Sequence, residues 1–277
     1  MTERAPLAIV TGATGGIGAC TARRLARRGY RVALLGRDIE RLATLERELS
    51  ADPSGPGCVS LALDLADADA RQRGLRELLD AHGPAEVVVN NAGYNHYCRF
   101  ADTPAEAYAR ITEVNYVAAV QLTRLTLPAM LDRRRGWVIN VASVSTRMGP
   151  WGHASYAAAK AALVAMTQSL AAEHPRSGVH FTYVNPGIVD TGYYTQPTMA
   201  PLWQAVRRHA IEPDRVARGI ERLLDRPRLA VSVPRHYRVL DWLVALSPAL
   251  AHRLVASQSR PRNGEAGPVI PPAEAEG

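Results

Sequence analysis

The chain has 277 residues, a mass of 30.0 kDa and 47% hydrophobic residues, which suits a single substantial core. Its net charge of +7 comes from arginines dispersed along the chain (Arg23, Arg24, Arg27 and Arg28, then Arg133 to Arg135, then Arg207 and Arg208), with no interleaved stacking aromatics; this argues against a nucleic-acid binder. Cys20, Cys58 and Cys98 have no metal-ligand spacing, and the N-terminal MTERAPLAIVTGATGG lacks the pattern of a secretory leader; free thiols in a reducing cytoplasm are therefore expected.

In chain order, LAIVTG at 7–12 is an apolar run ending in glycine, and it reads as a buried strand. IGACTARRLARRG (17–29) sets Ile17, Cys20, Ala22, Leu25 and Ala26 opposite arginines and stops at Gly29, as an amphipathic helix does. RVALLGR (31–37) is the second strand, and Asp38 caps a helix through Leu49 striped by Leu42, Leu45 and Leu49. The alternation continues with strands at 58–65, 85–93 and 136–143 and helices near 67–81 and from Thr103, where Thr103-Pro104-Ala105-Glu106 reads as an N-cap, an N1 proline and a capping-box acid. A long helix over Ser155–Glu173, a strand at 179–187, a polar and aromatic loop, a helix at 213–225 and a strand at 229–234 complete the pattern. Continuous apolar strands, each followed by a helix, predict an α/β fold with a parallel sheet covered on both faces. Residues 1–237 read as one domain containing a substrate loop at 188–212. An apolar helical extension at 238–257, interrupted by Pro248, and a Pro/Gly/Glu-rich disordered tail at 258–277 follow.

TGATGGIG at 11–18 joins the first strand to the first helix. Gly12 suits a tight turn, Gly16 the approach of a diphosphate and Gly18 close helix packing, while the helix N-terminus favours an anion. The second strand ends in Gly36-Arg37 rather than in a carboxylate. A guanidinium there pairs with a ribose phosphate, so NADP(H) is favoured and NAD(H) stays open.

YAAAK at 156–160 puts a phenol and an ammonium one turn apart on a helix face. A phenol with a free pKa of about 10 is a poor acid near neutrality. A cation beside it favours phenolate, so Lys160 is expected to tune Tyr156. Ser143, at the end of a strand, is placed to hydrogen-bond a substrate oxygen.

Taken together and in order, TGATGGIG, NNAG at 90–93, Asn115, Ser143, YAAAK and NPGIVDT at 185–191 resemble the short-chain dehydrogenase/reductase family over roughly residues 7–234. The resemblance implies a Rossmann-type doubly wound sheet of about seven parallel strands in three α/β/α layers. It implies Tyr156 as general acid/base, with Lys160, Ser143 and Asn115 completing the catalytic set, and Asn115 holding a water for proton relay to the lysine. For the cofactor it implies Gly12, Thr14, Gly15, Gly16, Ile17 and Gly18 at the first turn, then Arg37, Asp64 and Leu65 around the adenosine. Asn91, Ala92 and Gly93, with Tyr156 and Lys160, would line the middle. Pro186, Gly187, Val189 and Thr191 would hold the nicotinamide end, and Asn90 would stabilise the sheet. One departure is Ala142, where many relatives carry a second serine.

The loops after Gly93, Ser143 and Gly187 supply substrate candidates: Tyr94, His96, Tyr97, Met148, Trp151, His153, Tyr193, Tyr194, Met199 and Trp203. Their character suggests a small-molecule ketone or alcohol that is mainly apolar. The histidines have no ligand spacing, so no metal is expected. The segment 238–257 has three candidate roles: capping this pocket, meeting a partner subunit, or lying on a membrane surface through Trp242 and nearby arginines. Family resemblance implies a homodimer or homotetramer through the helix from Thr103 and the Tyr156 helix. The rival reading is a non-catalytic dinucleotide-binding sensor or scaffold, for which loss of Tyr156 or Lys160 would be the mark; both are present.

Overall fold

A computed structural model of the chain describes residues 5–51, 55–195 and 197–259. The elements run β1 (Leu7–Thr11), α1 (Gly16–Arg27), β2 (Arg31–Gly36), α2 (Ile39–Leu49), β3 (Cys58–Ala62), α3 (Ala68–His82) and β4 (Ala85–Asn90). There follow α4 (Ala105–Thr112), a wider π-helical stretch (Glu113–Val117), α5 (Ala118–Asp132), β5 (Gly136–Val141), α6 (Ser145–Met148) and α7 (Ala154–Glu173). The last are β6 (Val179–Pro186), α8 (Ala200–Val206), α9 (Pro213–Asp225), β7 (Ala230–Val233), α10 (Arg238–Leu246) and α11 (Pro248–Ser259).

The seven strands form one parallel sheet in the order β3-β2-β1-β4-β5-β6-β7. Alternate residues of each strand feed two cores, which is why the strands are apolar without interruption. Ala8, Val10, Val32 and Leu34 pack with Leu25, Leu45, Val216 and Ile220 from α1, α2 and α9. Leu7, Ile9, Ala33 and Leu35 pack with Leu75, Leu122 and Met130 from α3 and α5 on the other face. This is the expected three-layer, doubly wound architecture. Strand order reverses about β1, whose neighbours are β2 and β4, and the crevice at that switch point is where a ligand fits.

The expected cap of α2 is present: Asp38 accepts from the Arg41 N–H at 3.0 Å. The capping box at Thr103 is not. The carbonyl that opens α4 belongs to Pro104, which shifts Thr103 outside the helix, where its hydroxyl donates to Arg99 O at 3.1 Å. The third strand also ends earlier than expected, at Ala62, because pairing with β2 stops where β2 itself ends at Gly36. The extension at 238–257 is two helices, α10 and α11, broken at Ser247 before Pro248. The expected tail lies outside the described residues from residue 260 onward.

Two polar networks fix helices against the sheet and against each other. Asn90 Nδ2 donates to Asn140 Oδ1 at 2.8 Å, and Asn140 Nδ2 donates to Thr167 Oγ1 at 2.8 Å. This buried relay ties β4, β5 and α7 together, and its satisfied polar atoms fix one seating of α7 on the sheet. On the opposite face Arg24 forms bidentate bonds to Asp214 and a third to Glu221, while Arg28 pairs with Asp225. These pairs lock α9 along α1.

Candidate active site

At the C-terminal ends of the strands lies an open cavity of about 2250 Å³. That is more than the several hundred Å³ of a single-ligand pocket, and it has room for two ligands side by side. Its floor is the first turn. Gly12 takes φ +64°, and a Cβ on it would fall 2.9 Å from Ala92 Cα. Asn91 Nδ2 donates to Thr11 O and Gly12 O, and the Thr11 hydroxyl receives the N–H groups of Asn91 and Ala92 at 3.0 Å each. The NNAG turn and the glycine turn are thus one rigid unit.

The glycines divide their work differently from the expectation. A Cβ on Gly18 would sit 2.1 Å from Gly12 O, so this residue serves helix packing as expected, and it does not line the cavity. Gly16, expected to admit a diphosphate, is bare because Thr191 Cγ2 and Pro213 Cγ crowd it at 2.9 Å. Gly15 is the open one: a Cβ there would meet only Gly12 O at 3.4 Å. Gly36 leaves space for Thr14, whose Oγ1 lies 3.3 Å from where its Cβ would be.

These residues fit a dinucleotide. The α2 and α3 N-termini are capped by Asp38 and Asp67, whereas α1 has no side-chain cap and no acid in its first turn. The Gly15 N–H is taken by Gly12 O at 3.1 Å, but Gly16 and Ile17 of the first turn line the cavity, and an anion there completes the unpaired N–H groups of a helix start. Arg37, Asp64 and Leu65 line the same end. Burial raises the Asp64 pKa, but the Ala66 N–H and then Arg110, with Arg37 beyond, outweigh it and hold the carboxylate below its ordinary range. Arg110 was not anticipated. It pairs with Asp64 at 2.8 Å and lies 5.6 Å over the Tyr94 ring, joining the Asp64 end of the cavity to the loop after Gly93. A lone arginine on a helix carries no signal in a sequence.

Tyr156 and Lys160 do share a site: Lys160 Nζ lies 5.9 Å from the Tyr156 ring centre, and both line the cavity with Ser143. The electrostatics differ from the expectation. Burial pushes the Tyr156 hydroxyl above its usual pKa, while Ser143 and Tyr193 pull it back. Lys160 is itself 2% exposed, and burial drops its pKa to about 7. Its ammonium donates to Val141 O at 2.8 Å and Ala92 O at 3.5 Å, two strand-end carbonyls that make a polar but uncharged seat. Ser143 Oγ is held from behind by Ser145, whose N–H and hydroxyl donate to it at 3.1 and 3.0 Å.

Asn115 does not line the cavity. It is 1% exposed, its amide donates to Tyr94 O at 2.6 Å and Ile111 O at 2.8 Å, and its Oδ1 accepts from the Tyr94 N–H. The wider π-helical turn carries this side chain inward to the loop. A Cβ on Gly93 would lie 3.3 Å from Asn115 Oδ1 and 3.8 Å from Lys160 Nζ, so glycine keeps open the gap between them.

Of the substrate candidates, Tyr94, Tyr97, Met148, Trp151, His153, Tyr193 and Tyr194 line the cavity; His96, Met199 and Trp203 do not. Met199 is buried in the loop and Trp203 stacks on Tyr194 at 4.8 Å, so both support the wall rather than form it. His153 sits edge-on to Tyr156 with ring centres 5.9 Å apart, and burial lowers its pKa, making it a neutral wall. Leu243, Val244, Ala251 and Val255 of α10 and α11 also line the cavity. The capping role for the extension is therefore the one seen. Pro186, Gly187, Val189 and Thr191 line the cavity beside Ser143. Among the described residues no group of three or more His, Cys, Asp or Glu side chains is placed to hold a metal ion.

Comparison with known proteins adds an independent line. A family model described as short chain dehydrogenase matches residues 6–199. The chain is 31% identical over 268 residues to dehydrogenase/reductase SDR family member 7B of Bos taurus, covering 93% of this chain and 82% of that protein. It is 36% identical over 185 residues to a very-long-chain 3-oxoacyl-CoA reductase of Mycosarcoma maydis, covering 66% of this chain and 53% of that protein. Its fold matches a short-chain dehydrogenase from Sphingobium yanoikuyae solved in complex with NADPH, with a TM-score of 0.76 and 28% identity over 94% of this chain and 98% of that one.

Proposed function

Because the chain belongs to the short-chain dehydrogenase family, we propose that it is an NADPH-dependent reductase of a mainly apolar ketone, with secondary-alcohol oxidation as the reverse reaction. The observation that carries this reading is one cavity holding an uncapped helix N-terminus at one end and Ser143, Tyr156 and Lys160 at the other. Arg37 at the rim and the NADPH complex of the Sphingobium yanoikuyae enzyme support the phosphorylated cofactor.

When bound, the reduced nicotinamide supplies hydride to the carbonyl carbon. The chain's part is to hold the carbonyl and deliver the proton. Ser143, braced by Ser145, donates a hydrogen bond to the substrate oxygen, and Tyr156 transfers its hydroxyl proton to that oxygen as charge develops there. Lys160, with a pKa near 7, restores the proton to Tyr156, and Asn115 across the Gly93 gap completes the path inward. Apolar walls exclude water and favour an apolar substrate.

The test is a panel of ketones followed by cofactor absorbance, run on the native chain and on Tyr156→Phe, with dinucleotide affinity measured separately by fluorescence. Turnover should fall by at least about a hundredfold with affinity intact. Near-normal turnover in the variant refutes the acid role, and silence across the panel favours the sensor reading.

Two statements about partners belong to the same proposal. Val239, Trp242, Leu246 and Leu250 are exposed on α10 and α11, Trp242 by 68% and Leu246 by 80%, with Arg235, Arg238 and Arg253 exposed nearby. Apolar anchors beside basic residues support peripheral contact with an anionic membrane from the cytoplasmic side. No helix among the described residues is long and apolar enough to cross a bilayer. Tyr108 is exposed on α4, and α7 is apolar nearly all round, which supports a homodimer or homotetramer through these helices; light scattering tests it.

A further inference from the structure

The arginines that line the cavity are not equally answered. Asp38 pairs with Arg41 at 3.2 Å, Asp64 pairs with Arg110 at 2.8 Å, and the Arg208 guanidinium donates to the His209 ring at 3.0 Å. The guanidinium groups of Arg37 and Arg215 have no hydrogen bond or ion pair among the described residues. Arg37 has a role in the reading above; Arg215 has none. It stands in the first turn of α9, two residues after Pro213. A Cβ on Gly16 would meet Pro213 Cγ and Thr191 Cγ2 at 2.9 Å each, so the starts of α1 and α9 converge with Thr191 on the glycine turn. Ile211 forms a bridge with Val189, donates its N–H to Ile188 O and accepts from the Asp190 N–H, both at 2.9 Å. This stitches the approach to α9 against the segment Ile188–Asp190. Arg24 then fixes α9 along α1, and the Asp214 carboxylate beside Arg215 is already occupied by Arg24 and Arg218.

The diphosphate is the anion that both nicotinamide dinucleotides carry, and the glycine turn at the start of α1 is its natural seat. Helix N–H groups there supply only about half a positive charge, which leaves most of the diphosphate charge unbalanced. We infer that Arg215 is a second guanidinium on the cofactor, acting on the diphosphate as Arg37 acts on the ribose phosphate. The inference rests on the dinucleotide reading of the cavity. An arginine suits the task because its planar fork offers paired N–H donors to phosphate oxygens. Its exposed position keeps the contribution moderate, since water screens the charge. The two unanswered arginines thus divide the work: Arg37 decides which dinucleotide binds, and Arg215 strengthens either one.

The test is titration of the full chain with NADPH and with NADH, read by the fluorescence of the reduced nicotinamide with no ketone present. Arg215→Gln should weaken both dinucleotides by the same factor, about tenfold, and Arg215→Lys should recover part of the loss. Arg37→Ala provides the contrast, weakening NADPH and sparing NADH. Adenosine 2′-monophosphate carries the ribose phosphate without the diphosphate. Its affinity, measured by displacement of NADPH, should be the same for the native chain and Arg215→Gln. Unchanged affinity for both dinucleotides in Arg215→Gln overturns the inference and leaves the dinucleotide reading in place. A loss confined to NADPH also overturns it, because that assigns Arg215 to the ribose phosphate beside Arg37. An equal loss for adenosine 2′-monophosphate overturns it too, as the mark of a disturbed site rather than a lost contact. A native chain that binds neither dinucleotide removes the dinucleotide reading, and the inference falls with it.

Discussion

Replacing Lys160 with methionine tests the electrostatics of the site without any turnover. The lysine is enclosed by protein and faces the Val141 and Ala92 carbonyls, with burial the sole cause of its altered titration. Its pKa falls from 10.5 to about 7. At 1.36 kcal/mol per unit, carrying the charge in the folded state costs roughly 5 kcal/mol. Below pH 7 the lysine is charged in both the folded and unfolded chain, and the whole penalty applies. Between about pH 7 and 10.5 the unfolded chain holds one more proton than the folded one, so stability rises with pH. Methionine fills similar volume and binds no proton. The variant's stability minus that of the native chain should therefore be largest below pH 7 and shrink by roughly 2.5 kcal/mol on going from about pH 7 to pH 9. Losing the bonds to the two carbonyls adds a constant that does not vary with pH. Urea unfolding of both proteins across this range, without dinucleotide, measures the difference and cancels the other titrating groups. A difference that stays flat with pH would refute the claim that Lys160 is desolvated and unpaired with any carboxylate.

Four further outcomes follow from the same structure. Gly18→Ala drives a Cβ to 2.1 Å from Gly12 O and should destabilise the fold by about 2 kcal/mol or more. Gly15→Ala meets only one atom at 3.4 Å, so it should leave the thermal midpoint nearly unchanged while weakening dinucleotide binding. Removing the rim guanidinium by Arg37→Ala should lower the kcat/KM preference for NADPH over NADH by about tenfold, and an unchanged preference removes Arg37 from cofactor selection. Replacing Trp242 and Leu246 together by serine should reduce co-sedimentation with anionic vesicles; equal sedimentation of variant and native chain discounts the membrane face.

Local patterns carried a large part of this protein. The apolar strands, the Asp38 cap, the glycine turn and the YAAAK pair depend on interactions within a few residues, or on a sheet buried on both faces, and both leave periodic marks in the sequence. Tertiary structure decided what long-range placement alone can decide. It assigned Gly16 to the crowding of Thr191 and Pro213, which lie far along the chain. It turned Asn115 inward onto Tyr94 and Ile111, and brought Arg110 over the Tyr94 ring beside Asp64. The broken extension became a wall of the cavity because the strand ends left an apolar opening for α10 and α11 to cover. The charge of Lys160 is the sharpest case. Spacing puts the lysine beside the phenol, but how far water is excluded there, and hence what the ammonium does, depends on Val141, Ala92 and the packing of α7 against the sheet. Solvation is a property of the assembled fold, so a residue pattern can name the charged groups without stating their charge.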